Sequence, residues 1–302
     1  MQKIHGIISI NKPFGVTSTQ VVREIKRHSK QNKVGHSGTL DPTAEGVLPI
    51  CIGQATKVVE NIMQFKKEYI GTIRFGISTD TFDSAGKIVK VSEINNISEK
   101  KIENTLKNFL GDIQQTPPLF SALKNNGKRL YHIARSGKSI KLTPRDVYVK
   151  KITLLEWKPP NAKIFVQCGK GFYMRSLAQD LGEILNTGAH LSYLIRNSVG
   201  PFKIDNSISL SNAVDCFKKN NWHKNILNPD FALQNIQHTI LNEIDEKKIK
   251  TGQKILITAT IENFESENFI KAYNSKEDFL GILSKDSEKG LWKPYKVFTL
   301  DQ

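Results

Sequence analysis

Cysteine is nearly absent: Cys51, Cys168 and Cys216 are the only three in 302 residues, odd in number, far apart and set in apolar or mixed segments. They argue against a disulfide framework or a zinc knuckle and read instead as small buried hydrophobes. No apolar run is long enough to span a membrane, and the opening Met1-Gln2-Lys3-Ile4-His5-Gly6 leads into a strand-like segment rather than a signal peptide. A cytoplasmic protein is expected. Negative charge is also scarce, with 29 Asp+Glu against 44 Lys+Arg and a formal net charge of +15. Phosphate attraction is therefore available over much of the surface, and a nucleic-acid partner is favoured, although solubility accounts for some of the excess.

A chain of 302 residues exceeds what one hydrophobic core commonly holds, so a large domain and a smaller one are expected. Gly6 to Lys12 reads as a strand stopped by Pro13, and Gly15-Val16-Thr17-Ser18 supplies a turn and an N-cap for a helix burying Val21, Val22 and Ile25. Residues 69–75 alternate, with Tyr69, Gly71, Ile73 and Phe75 on one face. A turn-rich stretch over 79–86 precedes a strand at 88–91. A helix then carries Ile102, Leu106, Phe109 and Leu110 between a Ser98 cap and Gly111. Strands over 147–157 and 164–168 lead to a helix that Gly169-Lys170-Gly171 opens, that buries Leu177, Leu181, Ile184 and Leu185, and that Gly188 ends. A break at Leu227-Asn228-Pro229 introduces short strand-like runs such as 255–257 and 279–283. Strands and helices mix without a regular βαβ period, which predicts α+β with a mixed, largely antiparallel sheet. The expected division is 1–227 and a small β-rich domain over 228–302. Between Thr116 and Arg145, Pro117-Pro118, an Asn126-Gly127 turn signal and cations including Lys128 and Arg129 mark a basic insertion.

The most informative stretch is Gly35-His36-Ser37-Gly38-Thr39-Leu40-Asp41-Pro42-Thr43-Ala44-Glu45-Gly46-Val47-Leu48-Pro49, read as a loop that carries one acid. Pro42 fixes φ just after Asp41, so the carboxylate sits on a stiff turn. A lone Asp-Pro would be a turn whose carboxylate bonds its own backbone. The whole run, however, resembles the catalytic loop of the bacterial tRNA pseudouridine synthases that modify the uridine of the TΨC loop. Ser37, Thr43 and Glu45 depart from the commonest family residues, but none occupies the acid, the Pro or a Gly.

Further segments carry the same resemblance in order: Ile10-Asn11-Lys12-Pro13-Phe14-Gly15-Val16-Thr17-Ser18, Lys67-Glu68-Tyr69, Ser121 to Tyr131, Gly171-Phe172-Tyr173-Met174-Arg175-Ser176-Leu177 and Lys296-Val297-Phe298. The resemblance implies a pseudouridine synthase core with a PUA-like RNA-binding domain at 228–302, acting as a tRNA uridine-55-type synthase. Asp41 is then the nucleophile and Arg175 the guanidinium that holds it. Tyr69 stacks on the base and helps to remove the C5 proton, Tyr173 and Leu194 line the pocket, and Asp83 pairs with the arginine. His36 fills the space a flipped nucleotide leaves, and Lys128 and Arg129 grip phosphates. Taken alone, Tyr69 and Tyr173 read equally as core aromatics, Leu194 as packing and Asp83 as an Asx turn.

Uridine isomerisation breaks C1′–N1, turns the base and joins C1′ to C5; it needs no electrons and no energy source, so no cofactor is expected. The carboxylate either attacks the sugar or stabilises and deprotonates a cationic sugar, and the residues do not choose between these routes. The other six histidines form no ligand-spaced pair with His36, so no metal is expected. The implied partner is the T-arm of tRNA, with a monomer working without an obligatory protein partner and away from any membrane. A non-catalytic RNA-binding protein and a guide-RNA-dependent synthase with protein partners are the alternatives.

Overall fold

The computed structural model describes residues 3–95, 97–121, 124–125, 128–129, 142–257, 268–287 and 290–300. β1 (Gly6–Lys12) ends where Pro13 can no longer donate to a ladder. α1 (Ser18–Ser29) starts behind Thr17, whose side chain accepts from Gln20 N–H while the Gln20 side chain accepts from Thr17 N–H. β2 (Val34–His36) and β3 (Ala44–Ile52) form a hairpin, and α2 (Val59–Gln64) leads into β4 (Lys67–Phe75). β5 (Ile77–Thr79) and β6 (Ile88–Val91) pair with each other, α3 (Glu99–Leu106) is capped by Ser98, and β7 (Gly111–Gln115) follows. β8 (Lys124–Asn125) and β9 (Lys128–Arg129) form a short ladder around the Asn-Gly pair. Next come β10 (Arg145–Lys158), β11 (Asn161–Cys168), α4 (Met174–Ile184), β12 (Ala189–Val199), β13 (Phe202–Lys203), β14 (Ile208–Ser209) and α5 (Leu210–Lys218). The chain closes with β15 (His238–Ile240), α6 (Glu243–Lys250), β16 (Ile255–Leu256), β17 (Phe269–Tyr273), β18 (Phe279–Lys285) and β19 (Leu291–Val297).

The larger sheet has ten strands in the order β14-β1-β3-β12-β4-β11-β10-β7, with β2 on β3 and β13 on β12. Its parallel pairs are β1–β14 and β3–β12, and the remainder are antiparallel, so the α+β class with a mixed, largely antiparallel sheet holds. The second sheet has five strands in the order β15-β17-β18-β19-β16. Alternation in β1 and β3 serves two cores at once. Ile8, Ile10, Leu48, Ile50 and Ile52 pack with Val21 and Ile25 of α1 and Ala213 and Phe217 of α5. Ile7, Val47 and Cys51 face the opposite way, toward Phe279, Ile282 and Phe298 near the second sheet. Beneath α3 and α4, Ile73, Phe75, Ile164 and Val166 meet Ile102, Leu106, Leu177 and Leu181. No described helix is long and apolar enough to cross a membrane.

Three expectations need correction. The run from Gly35 to Pro49 is not one loop: its ends are strands β2 and β3, and only 37–43 forms a tip. The apolar residues Val47, Leu48, Ile50 and Ile52 are fully buried on the two faces of the sheet, and that burial outweighs the Gly and Pro punctuation. The fourth helix begins at Met174 rather than at the glycine turn, because Tyr173 is still extended and its N–H and C=O bond the Gln115 side chain. Ile184 and Leu110 are 49% and 53% exposed, for each stands one position off the stripe its neighbours bury.

The parallel β3–β12 pair sets Gly46 against Arg196. Gly46 has φ +104°, and a Cβ there would lie 2.3 Å from the Arg196 carbonyl oxygen. Gly46→Ala should cost about 2–4 kcal/mol, from strain plus a backbone clash that no rotamer relieves. Gly15 also has positive φ but open space around it, so Gly15→Ala should cost only about 1 kcal/mol. Urea unfolding of the two variants checks the difference.

Candidate active site

The 37–43 tip is pinned by backbone hydrogen bonds to distant parts of the chain. Leu40 N–H donates to Ser18 Oγ at 2.8 Å, and Ser18 Oγ donates back to the Leu40 carbonyl at 2.9 Å. Gly15 N–H reaches the Pro42 carbonyl at 2.8 Å, and Arg196 Nη2 reaches the Gly38 carbonyl at 3.2 Å. The start of α1, the turn after β1 and the middle of β12 thus fix the backbone on both sides of Asp41. A tip whose polar groups are satisfied in this way holds its side chain without further ordering cost.

Arg175 occupies the first turn of α4 and is only 5% exposed, a burial that a guanidinium tolerates only with partners. Its Nη2 lies 2.9 Å from Asp41 Oδ2 and 2.9 Å from the Phe120 carbonyl, its Nη1 donates to the Thr81 carbonyl at 3.4 Å, and its Nε is 3.7 Å from Asp83 Oδ2. Asp83 is both an Asx turn and an ion-pair partner: Oδ1 accepts from Thr81 Oγ1 and Ala85 N–H, leaving Oδ2 for the arginine. Burial pushes the Asp41 carboxyl above the ordinary aspartate range; Arg175 pulls it down and the Asp83 charge pushes it up. Asp41 still keeps 37% of its side chain open to the cleft.

That cleft holds about 380 Å³ and is lined by Asp41, Tyr69, Tyr173, Arg175, Leu194 and Arg196, together with Lys67, Lys170 and Met63. Tyr69 and Leu194 reach it from β4 and β12, while Tyr173 stands just before α4. Three buried cations in or beside the cleft have no role in the sequence motifs. Lys12 is fully buried at the end of β1, where its ammonium donates to the Pro13 and Val16 carbonyls. Burial holds it down to about 8, despite the opposing pull of Asp41 and Glu45. Lys67 caps the Met63 carbonyl and is held down to about 8 by burial and by Arg196. Arg196 is 2% exposed and donates to the Val47 and Gly38 carbonyls. Its signal in the sequence was a charge in the middle of a strand that is otherwise half apolar.

Of the expected site residues, Asp41, Tyr69, Asp83, Tyr173, Arg175 and Leu194 come together at or directly behind this cleft. His36 ends β2 opposite Ile50, accepts from Gly38 N–H at Nδ1 and stands outside the lining. Lys128 and Arg129 form β9, and their side chains lie outside the described residues, as do most of the other insertion cations. Among the described residues no group of three or more His, Cys, Asp or Glu could hold a metal ion. An oriented carboxylate, a fork holding it and a flat aromatic-aliphatic slot make a site suited to chemistry at a carbon beside a planar ring.

Residues 26–174 match the family model described as TruB family pseudouridylate synthase, N-terminal domain, and 175–241 match the tRNA pseudouridylate synthase B C-terminal domain. A tRNA pseudouridine synthase B from Clostridium acetobutylicum is 42% identical over 294 residues, covering 97% of this chain and 99% of the relative. Its counterpart from Clostridioides difficile is 41% identical over 301 residues, covering 98% of this chain and 100% of the relative. Among solved structures, a chain of an H/ACA RNP bound to a substrate RNA containing 2′-deoxyuridine superposes with a TM-score of 0.74 at 24% identity. It covers 98% of this chain and 85% of that one, a likeness of fold.

The geometry predicts how Asp41 titrates. Its protonated form is favoured by burial and by the Asp83 charge, so its midpoint should lie above that of an ordinary aspartate. Asp83→Asn should move the midpoint down by removing a like charge, and Arg175→Met should move it up by removing the opposite one. Carboxyl-carbon NMR of the three proteins across the acid range measures this, with unchanged midpoints counting against the coupling.

Proposed function

The chain belongs to the TruB family of pseudouridylate synthases, and on that premise we propose that it isomerises the TΨC-loop uridine of tRNA to pseudouridine, with Asp41 acting at the sugar. The observation that carries the residue assignment is the chain Asp41–Arg175–Asp83 at the edge of a cleft walled by Tyr69 and Leu194. Cleaving C1′–N1 leaves a sugar short of electrons, and an ionised carboxylate held through its Oδ2 by the Arg175 guanidinium can meet it by attack or by charge stabilisation. Arg175 keeps Asp41 ionised and aimed; Asp83 keeps Arg175 in place. The freed base turns between Tyr69 and Leu194 and joins C1′ through C5. Loss of the C5 proton then returns the C5–H electron pair to the ring as the C5=C6 bond, and N1 takes up a proton, so atoms and charge balance without a cofactor.

A uridine stacked inside an RNA loop cannot reach a carboxylate at the edge of a cleft, so it must be extruded, at a cost of roughly a few kcal/mol. His36, beside the hairpin tip, is the side chain to occupy the vacated stack. Lys128 and Arg129 grip the T-arm backbone, and the unit at 228–302 is an accessory RNA-binding domain to the catalytic unit at 1–227. The protein works as a monomer without a protein partner.

Purified protein with unmodified tRNA transcript should form pseudouridine at the TΨC loop unaided; no product would remove the reading, and product only with added protein partners would favour the guide-dependent alternative. Asp41→Asn should remove nearly all product while leaving tRNA affinity close to unchanged. Arg175→Lys should also be severe, because a point charge does not replace a planar fork. Wild-type turnover by Asp41→Asn would leave a binding protein. Neutralising Lys128 and Arg129 should weaken binding and flatten its salt dependence with little change in turnover at saturating tRNA.

A further inference from the structure

Arg196 stands directly opposite Tyr69 where β12 and β4 pair, and its guanidinium faces the Tyr69 hydroxyl at the cleft. It is almost wholly buried, and it donates to two carbonyls, Val47 on β3 and Gly38 in the hairpin tip. Its backbone packs tightly against β3. Gly46 is required because its Cβ would lie 2.3 Å from the Arg196 carbonyl oxygen. A desolvated cation satisfied by carbonyls is costly unless it serves an anion that forms beside it.

We propose that Arg196 is the positioning residue for Tyr69, fixing the phenol over the cleft and stabilising its deprotonated form when the C5 proton is removed. This rests on the reading of Tyr69 as the group that takes that proton. The phenol first loses its own proton to solvent; the phenolate then accepts the C5 proton and is neutral again, while the C5–H pair becomes the C5=C6 bond and N1 is protonated from solvent. Burial works against the phenolate and pushes the Tyr69 hydroxyl up, and Arg196 is the group that pulls it down. The other groups facing the hydroxyl, Asp41 from the hairpin tip and Cys168 from β11, push it up. Lys67 on β4 and Lys12 on β1 lie near Arg196, and each is itself held down in part by it.

Single-turnover release of label from C5 of uridine in tRNA, followed against pH beside a tRNA binding titration, tests the inference in Arg196→Met, Arg196→Lys and Tyr69→Phe. Arg196→Met should slow release at neutral pH by roughly 10–100-fold, move the alkaline rise of the rate to higher pH and leave tRNA affinity within about threefold. Arg196→Lys should restore part of the rate and most of the midpoint. In a Tyr69→Phe background, Arg196→Met should add little, because the hydroxyl through which it acts has gone. Full additivity in that background, or an equal fall in both Arg196 variants with no change of midpoint, makes Arg196 a pin for the hairpin tip and overturns the proposal, as does failure of both variants to fold. Tyr69→Phe releasing label at the wild-type rate would instead remove the reading of Tyr69 on which the proposal stands.

Discussion

The site depends on one buried guanidinium placed between two carboxylates that come from distant parts of the chain. Asp41 belongs to a hairpin tip, Asp83 to the turn after β5 and Arg175 to the first turn of α4. With both carboxylates ionised, the group carries one net negative charge. Removing the arginine would leave that charge doubled in a pocket that solvates it poorly, a loss on the scale of roughly 3–5 kcal/mol for a broken buried pair. Because Asp41 keeps one face open to the cleft, its share of that figure is smaller than that of Asp83. The arrangement offsets part of the upward push that burial gives the Asp41 carboxyl, without enclosing it, which is what a carboxylate that must meet a substrate requires.

Buried cations lie close to this group as well. Lys12, Lys67 and Arg196 donate to main-chain carbonyls, and their mutual repulsion and burial hold both lysines down to about 8. Carbonyl dipoles satisfy the donors but do not cancel the charge. A cleft lined by Asp41 together with the desolvated Lys67 and Arg196 carries strong local fields, which a flat neutral ring bound there would feel as its charge shifts during rearrangement.

Much of this was legible in the sequence. The alternation over 69–75 placed Tyr69 on the face of Ile73 and Phe75, and the structure has it there, because period-2 patterning survives wherever one face of a strand is buried. The Thr17 cap and the Ser98 cap were equally readable, since capping is local chemistry. The ends of the catalytic run were not. Gly46 and Pro49 look like loop residues; what makes them strand residues is pairing with β1, joined for Gly46 by β12 and for Pro49 by the Ser37 N–H, and no local pattern reveals these partners. Arg196 is hidden for the same reason, since its carbonyl partners at 47 and 38 come from elsewhere in the chain, whereas Lys12 is buried over the local Pro13 and Val16 carbonyls of the turn that follows it.

The glycines at 38 and 46 then acquire a physical reading beyond loop flexibility. β3 runs parallel to β12 for a few residues only, and at that short joint the chain carrying Asp41 must turn away from the sheet while the strand carrying Leu194 and Arg196 passes beside it. A side chain at 46 would force the strands apart, shift Leu194 out of the slot and withdraw the Arg196 fork from the Gly38 carbonyl in one movement. The backbone contact, the apolar wall and the pinned acid are therefore set by a single interstrand distance. Close-packed interiors respond to such a constraint by switching rather than stretching, so the two walls of the cleft stay in register with each other.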